Sequence, residues 1–207
     1  YTISSNYPYS QYTTIQYDGS NQRINYIRNS VKVIIDAYDG TITYYITDET
    51  DPIAMAYSNM YEGLFQKDIP ADIAEHFVYP KYLYNVQAEL LKTYHNLKAD
   101  IIYRADEIWD FAKANKSNIA RSSGSILEPY YTIVNDEGEN EIGLIQIYTP
   151  KDKQNLISYL VGTTEGETNK LVLYKFSEDS NIIGPMQLEQ QIEQDDAISA
   201  EIESLNT

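Results

Sequence analysis

The sequence of 207 residues contains no cysteine, so a disulfide framework, a thiolate metal site and a cysteine nucleophile are excluded. Long apolar runs are missing too. A transmembrane helix needs about 20 nearly continuous apolar residues. The densest stretch here, Val31 to Ile35, is interrupted by Lys32 and closed by Asp36. Histidine is scarce, with His76 and His95 alone, and no Gly-x-Ser-x-Gly elbow accompanies either, which argues against a serine hydrolase. Neither Gly-x-x-x-x-Gly-Lys nor Gly-x-Gly-x-x-Gly occurs, so the common phosphate-cradling loops are absent. Positive charge is in deficit: 15 basic residues face 31 acidic ones, for a formal net charge of -16. Such a field repels phosphate backbones and anionic headgroups, and no nucleic-acid partner is expected. Lys113, Lys116 and Arg121, the nearest approach to a basic cluster, read as a polar helix end and a loop.

What is present is an ordinary globular composition, 43% apolar and 22% charged, in a chain long enough for one sizeable core. Tyrosine is the oddity, with 21 Tyr against 4 Phe and 1 Trp. Tyrosine suits sugar- or peptide-binding surfaces, and equally suits sheets and half-buried helix faces. Tyr1 to Ser10 has neither an initiator methionine nor the basic-then-apolar layout of a signal peptide, so the expectation is a segment cut from a longer protein.

Along the chain, the alternation in Thr13 to Tyr17 predicts a strand within a polar N-terminal stretch. A hairpin is predicted for Val31 to Ala37 and Ile42 to Asp48. A two-residue Asp39-Gly40 turn would set Ala37 opposite Ile42, Ile35 opposite Tyr44 and Val33 opposite Ile46. That register makes one face wholly apolar and covered. The other face carries Lys32, Asp36, Thr43 and Thr47 and is partly wet. Asp51-Pro52 reads as N-cap and first residue of a helix with Gly63 as its stop. A short helix follows Pro70, and a third spans Tyr82 to His95 with Leu83, Val86, Leu90 and Tyr94 as its apolar stripe beside Leu91. A short strand is expected at Ile101 to Tyr103, then a helix from Ala105 to Ala114 and a mobile polar loop from Lys113 to Ser125. The last third predicts two hairpins, Tyr130–Val134 with Ile142–Tyr148 and Leu156–Val161 with Leu171–Phe176, before Gly184-Pro185 opens a helical tail.

The fold class is therefore α+β: a mainly antiparallel sheet, with helices over about residues 51–114 inserted between an N-terminal hairpin and C-terminal strands. The expected organisation is an extended arm over residues 1–22, a single α+β domain over 23–184 and a helical tail over 185–207.

Asn25-Tyr26-Ile27-Arg28-Asn29-Ser30-Val31-Lys32, running into Asp36-Ala37-Tyr38-Asp39-Gly40-Thr41, is similar to a signature of uncharacterised protein family 182, bacterial membrane proteins. Further matches follow in order. They are Asp51-Pro52-Ile53, Gly63-Leu64-Phe65, Tyr79-Pro80, Gln87 with Glu89-Leu90-Leu91, Tyr94-His95, Glu128-Pro129-Tyr130-Tyr131 and Gly184-Pro185-Met186-Gln187. The resemblance runs from about Tyr7 to Leu205. It implies a parent with several N-terminal membrane spans followed by a large extracytoplasmic region, of which this chain is an interior part. It implies no catalytic residues.

Acidic residues gather at Asp36 and Asp39 and at Asp48, Glu49 and Asp51, at opposite ends of the predicted hairpin, and neither group has EF-hand spacing. Turn and cap roles account for Asp39 and Asp51, and the acidic turn Asn135 to Glu141 is no stronger a calcium candidate. His95, near a helix end, reads as a cap or a buried hydrogen-bonding group. No catalytic, cofactor-binding or metal-binding residue is assigned, and no cofactor. The function expected is a non-enzymatic extracytoplasmic binding or interaction module at the cell envelope, with an envelope protein or polymer as partner and membrane contact only through spans outside this chain. The alternative is an envelope hydrolase using a carboxylate pair that sequence alone does not single out.

Overall fold

A computed structural model describes residues 1–17, 19–104, 107–114, 125–136, 138–166, 168–177 and 180–205. It is α+β with mainly antiparallel pairing, and the chain divides into two units, Tyr1–Val86 with Thr164–Thr168 and Gln87–Thr163 with Asn169–Thr207.

The first unit begins with two short antiparallel pairs. Strand β1 (Thr2–Ser4) pairs with β4 (Tyr26–Arg28), and between them β2 (Thr13–Tyr17) pairs with β3 (Ser20–Ile24). β2 lies where the alternation predicted it. Ile15 and Ile24 bury with Val86, and Ile3, Ile27 and Tyr82 pack around them to make this unit's apolar cluster. The Asn25 side chain locks the preceding loop: its amide donates to the Tyr7 carbonyl at 2.7 Å while its oxygen accepts from Tyr7 N–H at 3.0 Å.

The predicted hairpin forms as β5 (Val31–Ile35) and β6 (Ile42–Ile46), and β7 (Phe65–Gln66) adds in parallel to β6. Its register differs from the expected one by two residues. Ile35 sits opposite Ile42 and Val33 opposite Tyr44, because the connection is longer than two residues. The cause is Asp36. Its carboxylate accepts from Tyr38 N–H at 2.7 Å, its backbone pairs with Thr41, and Gly40 N–H returns to the Asp36 carbonyl with Gly40 at φ +77. An Asx turn thus ends β5 two residues earlier than an Asp39-Gly40 turn alone would. A shift of two keeps every side chain on its face, and the apolar face is covered only at its base, where Ile46 is buried. Val33, Ile35 and Ile42 are 49%, 63% and 50% exposed, while Tyr45 on the opposite face is buried and Lys32 lies over the Phe77 ring at 5.2 Å.

Helix α1 (Pro52–Met60) starts as predicted, with the Asp51 carboxylate accepting from Ile53 N–H and Pro at N1. It stops at the Tyr61 C-cap, and Gly63, at φ +79, belongs to the turn beyond. Helix α2 (Ala71–Ala74) follows Pro70, and α3 (Lys81–Tyr94) gives its first residues to one unit and its later ones to the other. Leu83 and Val86 are buried as expected, but Leu90 and Tyr94 are exposed. The face that buries instead includes Tyr84 and Ala88, and Leu91 and His95 continue its helical spacing half-buried.

In the second unit, Ile101 to Tyr103 is not a strand but part of helix α4 (Ala99–Arg104), braced by an i,i+4 ion pair from Arg104 to Asp100. The helix expected over Ala105 to Ala114 is replaced, where described, by strands β8 (Trp109–Phe111) and β9 (Lys113–Ala114). Here tertiary pairing overrides a helix-compatible local pattern: β8 adds to a long strand as its edge partner. Strand β9 pairs with β10 (Ser125–Ile126), and the expected mobile loop between them lies, apart from those ends, outside the described residues.

Strands β11 (Tyr130–Asp136) and β12 (Glu139–Pro150) form the third-quarter hairpin, longer than predicted, with β13 (Ser158–Glu165) and β14 (Thr168–Lys175) completing the five-stranded sheet with β8. Leu144, Gln146 and Tyr148 of β12 and Ser158 and Leu160 of β13 alternate onto one buried face. Tyr148 is fully buried, and its hydroxyl donates to the Ala88 carbonyl of α3 at 2.9 Å. Gly143 permits the opposite face to close, since a Cβ there would stand 2.9 Å from a Val134 methyl and 3.1 Å from a Thr163 methyl. Helices α5 (Pro185–Glu193) and α6 (Asp196–Leu205) end the described chain.

Candidate functional site

The acidic residues singled out in the sequence become structural groups rather than a shared site. Asp36 and Asp39 build the β5–β6 turn, Asp39 accepting from Thr41 N–H at 2.8 Å, a bond that holds its carboxyl below the usual range. Asp48 pairs with Arg28 at 2.9 Å and accepts from Thr50. Asp51 is fully buried. Its carboxylate accepts from the hydroxyls of Ser30, Thr2 and Tyr26 as well as from Ile53 N–H. Burial opposes the charge on both Asp48 and Asp51, but these bonds outweigh it and hold both pKa values low. Tyr26 is pushed the other way, up to about 12, by burial and by the Asp51 carboxylate. Among the described residues no three His, Asp or Glu side chains are grouped so as to hold a metal ion.

Both histidines serve helix ends. His76 Nδ1 donates to the Asp72 carbonyl at 2.7 Å. His95 directs Nδ1 to the Leu91 and Lys92 carbonyls at 3.1 Å, so the C-terminal carbonyls of α3 are capped as expected for a histidine there. Its ring stacks on Trp109 at 3.6 Å, and Lys175 approaches the same indole at 5.4 Å. Burial, helped by the Lys175 charge, lowers the His95 pKa.

A polar cavity lies elsewhere in the second unit. A cavity of about 230 Å³ is lined by Asp110 and Phe111 of β8, Lys113 of β9, Thr149 of β12, Asp152, Lys153 and Gln154 of the loop after it, and Met186 of α5. The Gly184-Pro185-Met186-Gln187 motif builds one wall. A side chain on Gly184 would collide with the Gln154 carbonyl oxygen, so only glycine lets the start of α5 seat against that loop. Gln187 closes the helix end by accepting from Gly184 N–H at 3.1 Å, and the Gln154 amide reaches the Met186 sulfur at 3.1 Å. A bridge between Leu156 and Ile182 fixes the segment from the other side.

The inner wall is held by Lys92. Its ammonium pairs with Glu89 at 2.7 Å and Asp110 at 3.4 Å and sits 4.8 Å from the Phe111 ring centre. Burial disfavours the charge, and the two carboxylates overcome it and raise the Lys92 pKa. Thr149 is buried at the floor, whereas Lys113, Asp152, Lys153 and Gln154 are exposed around the rim. Sequence reasoning found the glycine motif but not its partners, because the 149–154 loop and β8 come close only through sheet pairing. The positive φ of Asp152, +62, had no local sequence signal.

A second hollow of about 180 Å³ lies on the sheet face opposite the buried one, among Val134, Ile145, Tyr159, Val161, Val172 and Tyr174, where Tyr159 and Tyr174 stack at 4.7 Å. Tyrosine thus divides by place: Tyr79, Tyr84 and Tyr148 are fully buried, while Tyr9, Tyr38 and Tyr103 are exposed.

No helix of the described residues is long and apolar enough to cross a membrane. No solved structure matches the chain. The chain is 41% identical over 212 residues to a UPF0182 protein of Caldicellulosiruptor saccharolyticus, covering 100% of this chain and 22% of the relative. It is 39% identical to one of Methanospirillum hungatei (98% and 22% covered) and 38% identical to one of Clostridium acetobutylicum (100% and 22%). The chain therefore spans about one fifth of the length of these relatives. Residues 1–205 match the uncharacterised protein family UPF0182, and the chain belongs to that family.

Proposed function

We propose that this chain is a non-catalytic binding or interaction module in the extracytoplasmic part of a longer, membrane-anchored envelope protein. The observation that carries the binding role is the cavity walled by Gly184 to Gln187, whose lining is charged and polar rather than a sealed apolar core. Concave sites with a few convergent polar groups are where small ligands bind. The envelope location is supported by the resemblance of the Asn25–Lys32 and Gly184–Gln187 motifs to multi-spanning proteins and by the large share of the relatives' length outside this chain. A hydrolase would need a carboxylic acid held protonated near neutrality. Among the described residues the carboxylates that shift, Asp39, Asp48 and Asp51, all shift downward.

Two measurements test the reading. Thermal melts of the chain against divalent cations and soluble cell-wall fragments should show a higher midpoint with at least one ligand, since binding to the native state alone must raise it. An unmoved midpoint across the panel speaks against ligand binding. Protease added to intact cells should cleave a full-length protein tagged within this segment; protection until lysis would overturn the location.

A further inference from the structure

The cavity places two aspartates and two lysines around one small volume without letting them neutralise one another. Among the described residues Lys113 and Lys153 have no carboxylate or aromatic partner, and neither lies within ion-pair distance of Asp110 or Asp152. In a chain with about twice as many acids as bases, these two lysines stand beside two carboxylates without an ion pair to either. Lys113 is fixed on β9, Lys153 sits in the loop after β12, and Asp152 is set in the left-handed region. Asp110 is half committed. Its Oδ1 accepts from Phe111 N–H at 3.0 Å and from Lys92 at 3.4 Å, and its Oδ2 has no partner among the described residues.

A purely anionic ligand would meet Asp110 and Asp152, and a purely cationic one would meet Lys113 and Lys153. Only a ligand carrying both charges satisfies all four, and the volume, about 230 Å³, is below the roughly 300–1,000 Å³ of ordinary ligand clefts. We propose that this cavity binds a small zwitterion of the amino-acid or dipeptide type. The ammonium group is taken by Asp110, whose orientation Lys92 fixes from behind. The carboxylate is taken by Lys113 and Lys153, with the Thr149 hydroxyl at the floor. Phe111 and Met186 supply the apolar contact for a short side chain. This assignment rests on the reading of the chain as a ligand-binding module.

Titration calorimetry on the chain tests it with L-alanine, D-alanine and L-alanyl-L-alanine as probes. N-acetyl-L-alanine, L-alaninamide and sodium acetate serve as controls that carry one charge or the other. The proposal expects saturable binding of at least one zwitterion and none of the controls. Asp110→Asn and, separately, Lys153→Gln should each weaken binding about tenfold, the loss of one charge-assisted contact. Lys153 is exposed, so that variant folds normally and remains informative if Asp110→Asn does not. Controls that bind as tightly as the zwitterions, an unchanged Lys153→Gln affinity, or no titratable heat with any probe would each overturn the assignment. Protease accessibility in cells reads the module's location independently, so a failed titration and a failed envelope location are distinguishable.

Discussion

At Asp51 a single buried carboxylate collects three hydroxyls and one backbone N–H, from β1, β4, the residue preceding β5 and α1. Each donor comes from a different part of the first unit, so removing the acceptor leaves several buried polar groups without a partner as well as uncapping α1. Lost capping costs about 1 kcal/mol and a stranded buried donor about 1–3 kcal/mol. Asp51→Ala is therefore expected to destabilise the chain by about 2–4 kcal/mol. Urea unfolding followed by circular dichroism measures this. A loss under about 1 kcal/mol would mean that water replaces the carboxylate and that the network is not what holds these strands. The cap itself was legible from Asp51-Pro52; the role of Ser30 and Thr2 as donors to the same oxygen was not, because nothing in their neighbours marks a side chain that bonds across 21 and 49 positions.

At the scale of elements, the β5–β6 hairpin shows how a correct strand pair can be covered at its base, at Tyr45 and Ile46 on its two faces, and left bare towards its turn. Local alternation identifies both strands, and the Asx turn of Asp36 sets where the ladder stops. How far each face is covered depends on what packs against it: Phe77 under Lys32 on one side and Phe65 against Tyr44 on the other. Two substitutions separate the readings. Ile35→Thr, on the exposed apolar face, should change stability by no more than about 0.5 kcal/mol, whereas Tyr45→Ala should cost about 3–5 kcal/mol. Paired chemical denaturation curves decide it, and equal losses would mean that the turn end of the apolar face is packed as its base is. Helix α3 carries the same lesson. Its Leu90 stripe is the more hydrophobic on paper, but the face that buries is the one with Ala88, fully buried, whose backbone carbonyl accepts from the Tyr148 hydroxyl.

For the whole molecule, titration sets the range of pH over which both units are stable. The His95 pKa lies below its ordinary value near 6.5, so the unfolded chain takes up a proton first as pH falls, and stability declines through that window. Asp48 and Asp51 lie below their ordinary value of 3.8. Their contribution is present above it and is lost as pH falls through the folded values. Tyr26 works at the alkaline end. With its folded pKa raised from 10.0 to about 12, its contribution is intact below pH 10 and lost as pH rises towards 12. Melting midpoints measured across the scale should form a plateau between roughly pH 7 and 10, with a shallow acid shoulder that His95→Gln removes and a steep fall below about pH 4. A midpoint that rises on acidification from pH 7 to 5 would show that relief of the net charge of -16 outweighs these groups.

Sequence alone determined what depends on neighbours within a few residues: the cap at Asp51, a turn at Asp39-Gly40 though not the earlier stop at Asp36, the alternation of β2, β5, β6 and β11 to β14, and the chemistry that the absence of cysteine removes. The motif Gly184 to Gln187 was visible in the same way, as a glycine followed by proline at a helix start. Tertiary structure alone decided how much of the hairpin's apolar face is covered, that Trp109 to Phe111 becomes an edge strand, and that Gly184 is required by the Gln154 carbonyl rather than by its own turn. The physical reason is range. Backbone dihedrals and side-chain-to-backbone bonds are settled locally, while burial and charge separation are set by which distant segment arrives, and no local pattern at Asp110 or Lys113 encodes the arrival of Lys153 and Met186.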